Sequence, residues 1–178
     1  MLSLRPATLS DIPAIARIYG EAVAIGTASF EMEPPGEAEM AKRMQQVLDA
    51  GYPYLSADLD GAFAGYAYAN AYRVRPAYRF TVENSVYVAP ATMRRGIGRA
   101  LLDALIDECT QRGSRQMMAV IGDSKNQDGS VALHAAAGFR VVGRLEDVGF
   151  KRDRWLDTLL MQRALGDGSA SPPGSAET

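Results

Sequence analysis

The 178-residue chain holds one cysteine, one histidine and one tryptophan. A single cysteine, Cys109, excludes an internal disulfide and fits a reducing compartment. Long apolar runs are also missing: no stretch approaches the length of a membrane span. The opening residues MLSLRPATLSD contain no apolar signal core, so the protein reads as cytoplasmic. Positive charge is not in excess either. Nineteen Lys and Arg stand against 21 Asp and Glu, for a net charge of −2 and an isoelectric point near 5.5. No global field therefore attracts nucleic acid, and any arginine cluster is a local feature. What the chain does have is apolar residues, 47% of the total. That is enough for one real core in one domain, not two.

Residues 2–6 predict a short strand. Ser10 is placed to cap a helix carrying Ile12, Ile15, Ala16 and Tyr19 on one face. A proline-containing loop, TASFEMEPPGEAEM, leads into a helix at about 37–50 with Met40, Met44, Val47 and Leu48 as its stripe. Two β-type runs in YLSADLDGAFAGYAYA meet at Asp60-Gly61, a pair that tolerates positive φ in a tight hairpin. RFTVENSVYV is another strand. Ile97, Leu101, Ala104, Leu105 and Cys109 mark a helix running to about residue 112. RQMMAVIG is a strand, 126–137 a short helix ended by Gly138, and FRVVGRL and WLDTLLMQRAL are two closing strands. The order β-α-α-β-β-β-α-β-α-β-β predicts an α+β domain over residues 1–165: a mixed, mostly antiparallel sheet with helices on both faces. It excludes an all-parallel dinucleotide-binding fold. Residues 166–178 have no apolar side chain larger than alanine and read as a disordered tail.

One stretch, TMRRGIGRALL (92–102), sets two arginines and two glycines at the start of a helix. A helix start exposes unpaired N–H groups and the positive end of the dipole. Glycines let an anion approach that backbone, and Arg94, Arg95 and Arg99 add charge. The turn reads as a phosphate cradle or, equally, as a solvated turn. Three further features keep two readings each. Glu83 shares a strand face with Thr81, Ser85 and Tyr87: a polar face on an outer strand, or a carboxylate lining a cleft. His134, the sole histidine, reads as a locally bonded side chain or as a group titrating near neutrality. Arg73 and Arg75, spaced i and i+2 near Tyr78, form either a solvent rim or an anion grip. Trp155 reads as core, and Cys109 as a buried small hydrophobe.

SVYVAPATMRRGIGRALLDAL resembles the pyrophosphate-binding segment of the GNAT superfamily of acyl-CoA-dependent N-acyltransferases. TVENSVYV, AVIG, ALHAAAGF and VGFKRDRWLD further resemble the phosphinothricin and methionine sulfoximine/sulfone N-acetyltransferases. The resemblance covers roughly residues 2–165. It implies the GNAT fold, a sheet split between its fourth and fifth strands, and acetyl-CoA in the split. It places the pyrophosphate on the N–H groups of Arg94, Arg95, Gly96, Ile97, Gly98 and Arg99. The pantetheine arm would lie along Val86, Tyr87 and Val88, with Asn126 and Ser130 also at the cofactor. Glu83 takes the role of general base and His134 that of the group facing the sulfur. Phe30, Glu31, Arg73, Arg75, Tyr78, Asn84 and Ser85 fall at the substrate. Two departures stand out. Met93 occupies the motif's first position, usually Gln or Arg. Asn126 precedes Ser130 by four residues, not three, which leaves Gln127 as its alternative. The implied activity is acetylation of the α-amine of a small anionic amino-acid analogue, by a homodimer, with no metal, nucleic acid or membrane partner. The rivals are a peptide or lysine acetyltransferase and a non-catalytic acyl-CoA sensor. The second would predict loss of Glu83 or His134, and both are present.

Overall fold

The computed structural model describes residues 1–173. Strand β1 (Leu2–Pro6) is followed by helices α1 (Ile12–Ile25) and α2 (Glu37–Asp49). Then come β2 (Tyr54–Leu59), β3 (Ala62–Ala71), β4 (Thr81–Val88), α3 (Ile97–Gln111) and β5 (Gln116–Gly122). Helix α4 (Asp128–Ala136) and the hairpin β6 (Arg140–Lys151)–β7 (Arg154–Ala164) close the domain. The seven strands form one sheet in the order β1-β2-β3-β4-β5-β7-β6. Every neighbouring pair is antiparallel except β4–β5. The expected element order and mixed sheet are therefore present.

Two apolar layers sandwich the sheet. On one face Ala67, Ala69, Val82 and Met117 pack against Ile97, Leu101, Leu105 and Cys109 of α3. On the other Tyr54 and Tyr66 pack against Ile15 and Ile18 of α1 and Met40 and Met44 of α2. Alternation along β3 supplies both layers, because successive strand side chains point to opposite faces. The β2–β3 turn takes positive φ at Asp60 and Gly61, as the Asp-Gly pair requires. Among the described residues no helix is long and apolar enough to cross a membrane.

Several expectations need correction. Ser10 does not cap α1. Thr8 and Asp11 form a capping box around a short 3-10 turn ahead of it, and Asp11, buried, also pairs with Arg5 at 2.8 Å. Burial would raise the Asp11 pKa, but the Arg5 bond and the Thr8 N–H outweigh it and hold the carboxyl below its usual range. Leu48 is exposed, not on the buried stripe, and Trp155 is 61% exposed, packed edge-to-face on Phe150. The last hairpin is longer than expected: β6 runs to Lys151 through register shifts at 141–143 and 145–149, with Asp147 at φ 51°. Such bulges break the alternation that would have marked the strand. Residues 166–173, expected in the disordered tail, form a turn in which Gly168 N–H bonds Leu165 C=O and Arg115 reaches the Ser171 hydroxyl. The rest of that tail lies outside the described residues.

Candidate active site

The site begins where the one parallel pair comes apart. β4 pairs with β3 along Val82–Val88. It pairs with β5 only at Thr81–Gln116, Val82–Met117 and Glu83–Met118. Past Glu83 the outer edge of β4 has no strand partner among the described residues, and a wedge opens toward Gly122.

At the far end of β4 the chain turns through Arg94 (φ 60°) and Gly96 (φ 80°) into α3. A left-handed conformation at a bulky residue costs energy, and turns that contain one are where backbone N–H groups can build an anion nest. The first intrahelical bond is Ala100 N–H to Gly96 C=O, 3.0 Å, so the N–H groups of Ile97, Gly98 and Arg99 have no helical partner. A Cβ added at Gly98 would meet Leu133 and Val88 at ordinary contact distance, 3.5 Å. The turn floors a groove of about 540 Å³ lined also by Val86, Val88, Met93, Asn126, Gln127 and Ser130. The guanidiniums contribute unequally. Arg99 is bound to Asp103 and to the Ala136 carbonyl, and Arg95 lies 3.8 Å from Asp60. Arg94 has no ion-pair partner among the described residues.

The groove meets a second cavity of about 190 Å³ inside the wedge, lined by Glu83, Asn84, Ser85, Val86, Tyr87, Gln127, Ser130 and His134. Glu83 is half-buried. Burial pushes its pKa up, and the Arg73 charge pulls back against it. His134 is buried and bonded at both ring nitrogens: Nδ1 to the Ser130 carbonyl at 2.8 Å and Nε2 to Asn84 Oδ1 at 2.9 Å. Burial lowers its pKa; the bond to Ser130 raises it. Strand β4 and helix α4 thus bring Glu83 and His134, 51 residues apart in the chain, to one cavity.

The expected substrate residues divide. Phe30 lies over Gly122 and Gly149, so close that a Cβ on either would clash with its ring. Ser85 lines the cavity. Glu31 is taken up by Arg43 at 2.6 Å and Tyr19 at 2.8 Å; it braces the loop. Asn84 is buried, its amide bound to Met118 C=O and to His134. Arg73 sits over the Tyr72 and Tyr78 rings, within electrostatic reach of Glu83. Arg75 is exposed, its backbone extended just ahead of a 3-10 turn, Pro76–Tyr78. Asn126 spends its amide N–H on Asp123, whereas Gln127 lines both cavities. Cys109 is buried on α3 and its thiol is pushed up to about 12 by burial.

Two features escaped the sequence reading. Lys151 is buried, its Nζ donating to the carbonyls of Val23 and Ser29 at 2.9 Å, which ties the 26–31 loop to α1. Tyr54, Tyr66, Tyr68 and Tyr87 stack on the α1/α2 side of the sheet. The alternation Tyr66-x-Tyr68 signalled a common face; the partners on other strands carried no such signal.

The chain matches the family model described as an acetyltransferase (GNAT) domain over residues 4–160. It is 53% identical to a phosphinothricin N-acetyltransferase of Alcaligenes faecalis over 92% of this chain and 82% of the relative. It is 36% identical to an L-methionine sulfoximine/L-methionine sulfone acetyltransferase of Salmonella typhimurium, over 95% and 98%. Its fold superposes with a TM-score of 0.94 on a GNAT phosphinothricin acetyltransferase from Sinorhizobium meliloti crystallised with AcCoA, at 49% identity and covering 98% of this chain and 94% of the other.

Proposed function

The chain belongs to the GNAT acetyltransferase family, and we propose that it transfers the acetyl group of acetyl-CoA to the α-amine of a small anionic amino-acid analogue of the phosphinothricin or methionine sulfoximine/sulfone type. The observation that carries this reading is the junction of two spaces at the strand split. One is a long groove floored by unpaired N–H groups; the other is a small cavity holding a half-buried carboxylate. A cavity of about 190 Å³ is below the size of typical ligand pockets. It suits a small amine better than a peptide chain.

The pyrophosphate rests on the turn from Arg94 to Arg99, held chiefly by backbone N–H groups. Arg94 compensates for Met93 at the motif's first position, and Gln127, not Asn126, reaches the cofactor beside Ser130. The pantetheine arm adds to the free edge of β4 at Val86–Val88 as an extra strand. Glu83, raised by burial toward the range a base requires, accepts a proton from the ammonium. Arg73 and Arg75 draw the substrate's anionic groups to the rim, with Phe30, Tyr78 and Ser85 around the amine. His134 serves the thiol side. The protein works in the cytoplasm as a homodimer. The exposed apolar side chains Val141, Val148 and Phe150 on edge strand β6 support an interface there.

The test is thiol release from acetyl-CoA across amino acids, sulfones, phosphinates, polyamines and short peptides. Turnover confined to small carboxylate-bearing amines is expected. Preference for peptides, or turnover of nothing in the panel, would overturn the reading.

A further inference from the structure

We infer that Asn84 is the positioning residue of His134: its amide, oriented by Met118, holds a proton on Nε2 of the imidazole at the point where the sheet divides. The inference rests on the acetyltransferase reading for its use in turnover, but not for its geometry.

Asn84 Nδ2 donates to the Met118 carbonyl at 2.9 Å. Met118 is the last residue of β5 in register with β4, opposite Glu83. The side chain therefore continues the ladder by one rung after the backbones part. That bond also removes the usual ambiguity of an amide. Flipping it would set Oδ1 against a carbonyl oxygen, two acceptors with no proton between them. Oδ1 is thus the atom that faces His134 Nε2, 2.9 Å away, and an amide oxygen can only accept. The contact is a hydrogen bond only when Nε2 carries the hydrogen, and the proposal assigns it there. The other nitrogen faces the Ser130 carbonyl at 2.8 Å, again an acceptor. Either neutral tautomer leaves one nitrogen lone pair against an oxygen; only the doubly protonated ring satisfies both, while burial opposes that charge.

An amide oxygen is too weak a base to take the Nε2 proton. It holds it until a thiolate forms in the cleft. In turnover the C–N bond forms, the C–S bond breaks, and the sulfur takes that proton. The ammonium loses two protons in becoming an amide: Glu83 receives one, and the other restores the imidazole through water. Apart from His134, the ionisable groups lining the cavity are Glu83 and Tyr87, both on β4; β5 contributes none. On the remaining side the ring meets the edge of Phe139, 5.1 Å between centroids.

The chain has one histidine, so ¹⁵N-histidine labelling gives a single imidazole to read. The ligand-free wild-type protein should show a hydrogen-bearing Nε2 throughout neutral pH. Asn84→Leu, which keeps the branching and number of side-chain heavy atoms without the polar ones, should let Nε2 lose its hydrogen in favour of the Nδ1–H form bonded to Ser130. It should also lower kcat roughly 10- to 100-fold, by analogy with the cost of removing the partner that orients a metal-bound imidazole. The pH profile of kcat should shift while the KM for acetyl-CoA stays within about twofold. A bare Nε2 in the wild-type spectrum overturns the proposal whether or not the variant folds. An Asn84→Leu protein with unchanged spectrum and pH profile does the same. If Nε2 carries hydrogen but no amine in the panel is acetylated, the functional reading fails and the positioning stands.

Discussion

Phe30 lies across two glycines, and replacing each in turn separates the role of the ring from the role of its loop. A Cβ added at Gly149 would come within 2.4, 2.7 and 2.9 Å of three ring carbons of Phe30. At Gly122 it would meet the Ala28 carbonyl oxygen at 2.5 Å and the ring at 2.8 Å. The first clash is relieved when the ring swings out. The second presses on backbone that Lys151 holds through Ser29, so the loop itself must lift. Phe30 is 38% exposed, which leaves roughly three-fifths of it buried. Full burial of such a side chain is worth about 1.5–3 kcal/mol, so displacing the ring forfeits about 1–2 kcal/mol, or roughly 5- to 30-fold in an equilibrium. With Phe30 as a wall of the amine site, Gly149→Ala raises the amine KM by that factor and leaves the acetyl-CoA KM unchanged. Gly122→Ala raises it further and lowers Tm. Initial-rate thiol release with each substrate varied, alongside thermal unfolding, reads both. An unchanged amine KM in a folded Gly149→Ala protein, with Phe30→Ala equally silent, would refute the assignment of Phe30 to the amine.

Glu83→Gln should cut kcat about 10²- to 10⁴-fold, with partial recovery at high pH where the amine is already neutral; full activity at pH 7 would remove Glu83 as base. The same change should stabilise the fold at neutral pH. A carboxyl whose folded pKa is raised costs stability increasingly as pH rises from the ordinary glutamate value to that raised pKa and fully above it, and the gain should vanish below the ordinary value, where glutamate is protonated folded and unfolded alike; a gain that persists at low pH would contradict this. Arg73→Ala and Arg75→Ala should each raise the amine KM roughly 10- to 150-fold, the loss of one charged hydrogen bond of about 1.5–3 kcal/mol. Only Arg73→Ala should also move the acid limb of kcat/KM upward, since Arg73 alone of the two lowers the Glu83 pKa; equal pH profiles would deny that coupling. Gly96→Val and Gly98→Val should both weaken acetyl-CoA binding, but Gly96→Val should lower Tm more because its φ is 80°; unaltered affinity in a folded Gly98→Val protein would dispose of the cradle.

How much was legible in the sequence depends on the range of the signal. The α3 stripe Ile97, Leu101, Leu105 and Cys109 is buried as its spacing required, because helix periodicity is local. The Asp60-Gly61 turn is likewise a local backbone preference. Leu48 fell outside its stripe because α2 ends at Asp49, too near for the sheet to cover it. Trp155 misled because size argues for burial, yet it sits on the exposed hairpin with Phe150. Within the candidate site, Glu83 and His134 and the residues lining their cavity were named from the sequence, but not the bonds between them. The resemblance put Asn84 at the substrate; that its amide turns to Met118, 34 residues on, is set by strand pairing. Lys151 reaches Val23 across 128 residues, a contact no local pattern encodes.

The position of the site, by contrast, follows from topology alone. Among the described residues six neighbouring strand pairs build this sheet, and only β4–β5 is parallel. A parallel pair needs a crossover, here α3, which must start near the end of β4 and return the chain to the start of β5. The crossover thus fixes a helix N-terminus, with its unpaired N–H groups, at the carboxyl end of β4. It also frees β4 and β5 to diverge there, since no turn ties those ends together. Unpaired helix N–H groups and an unpaired strand edge are therefore two results of one connection, in line with the rule that open sheets bind ligands beyond the carboxyl ends of their parallel strands. The sequence around the junction supplies only what topology cannot: glycines at 96 and 98, a carboxylate at Glu83 where pairing stops, and an amide at Asn84 to finish the last rung.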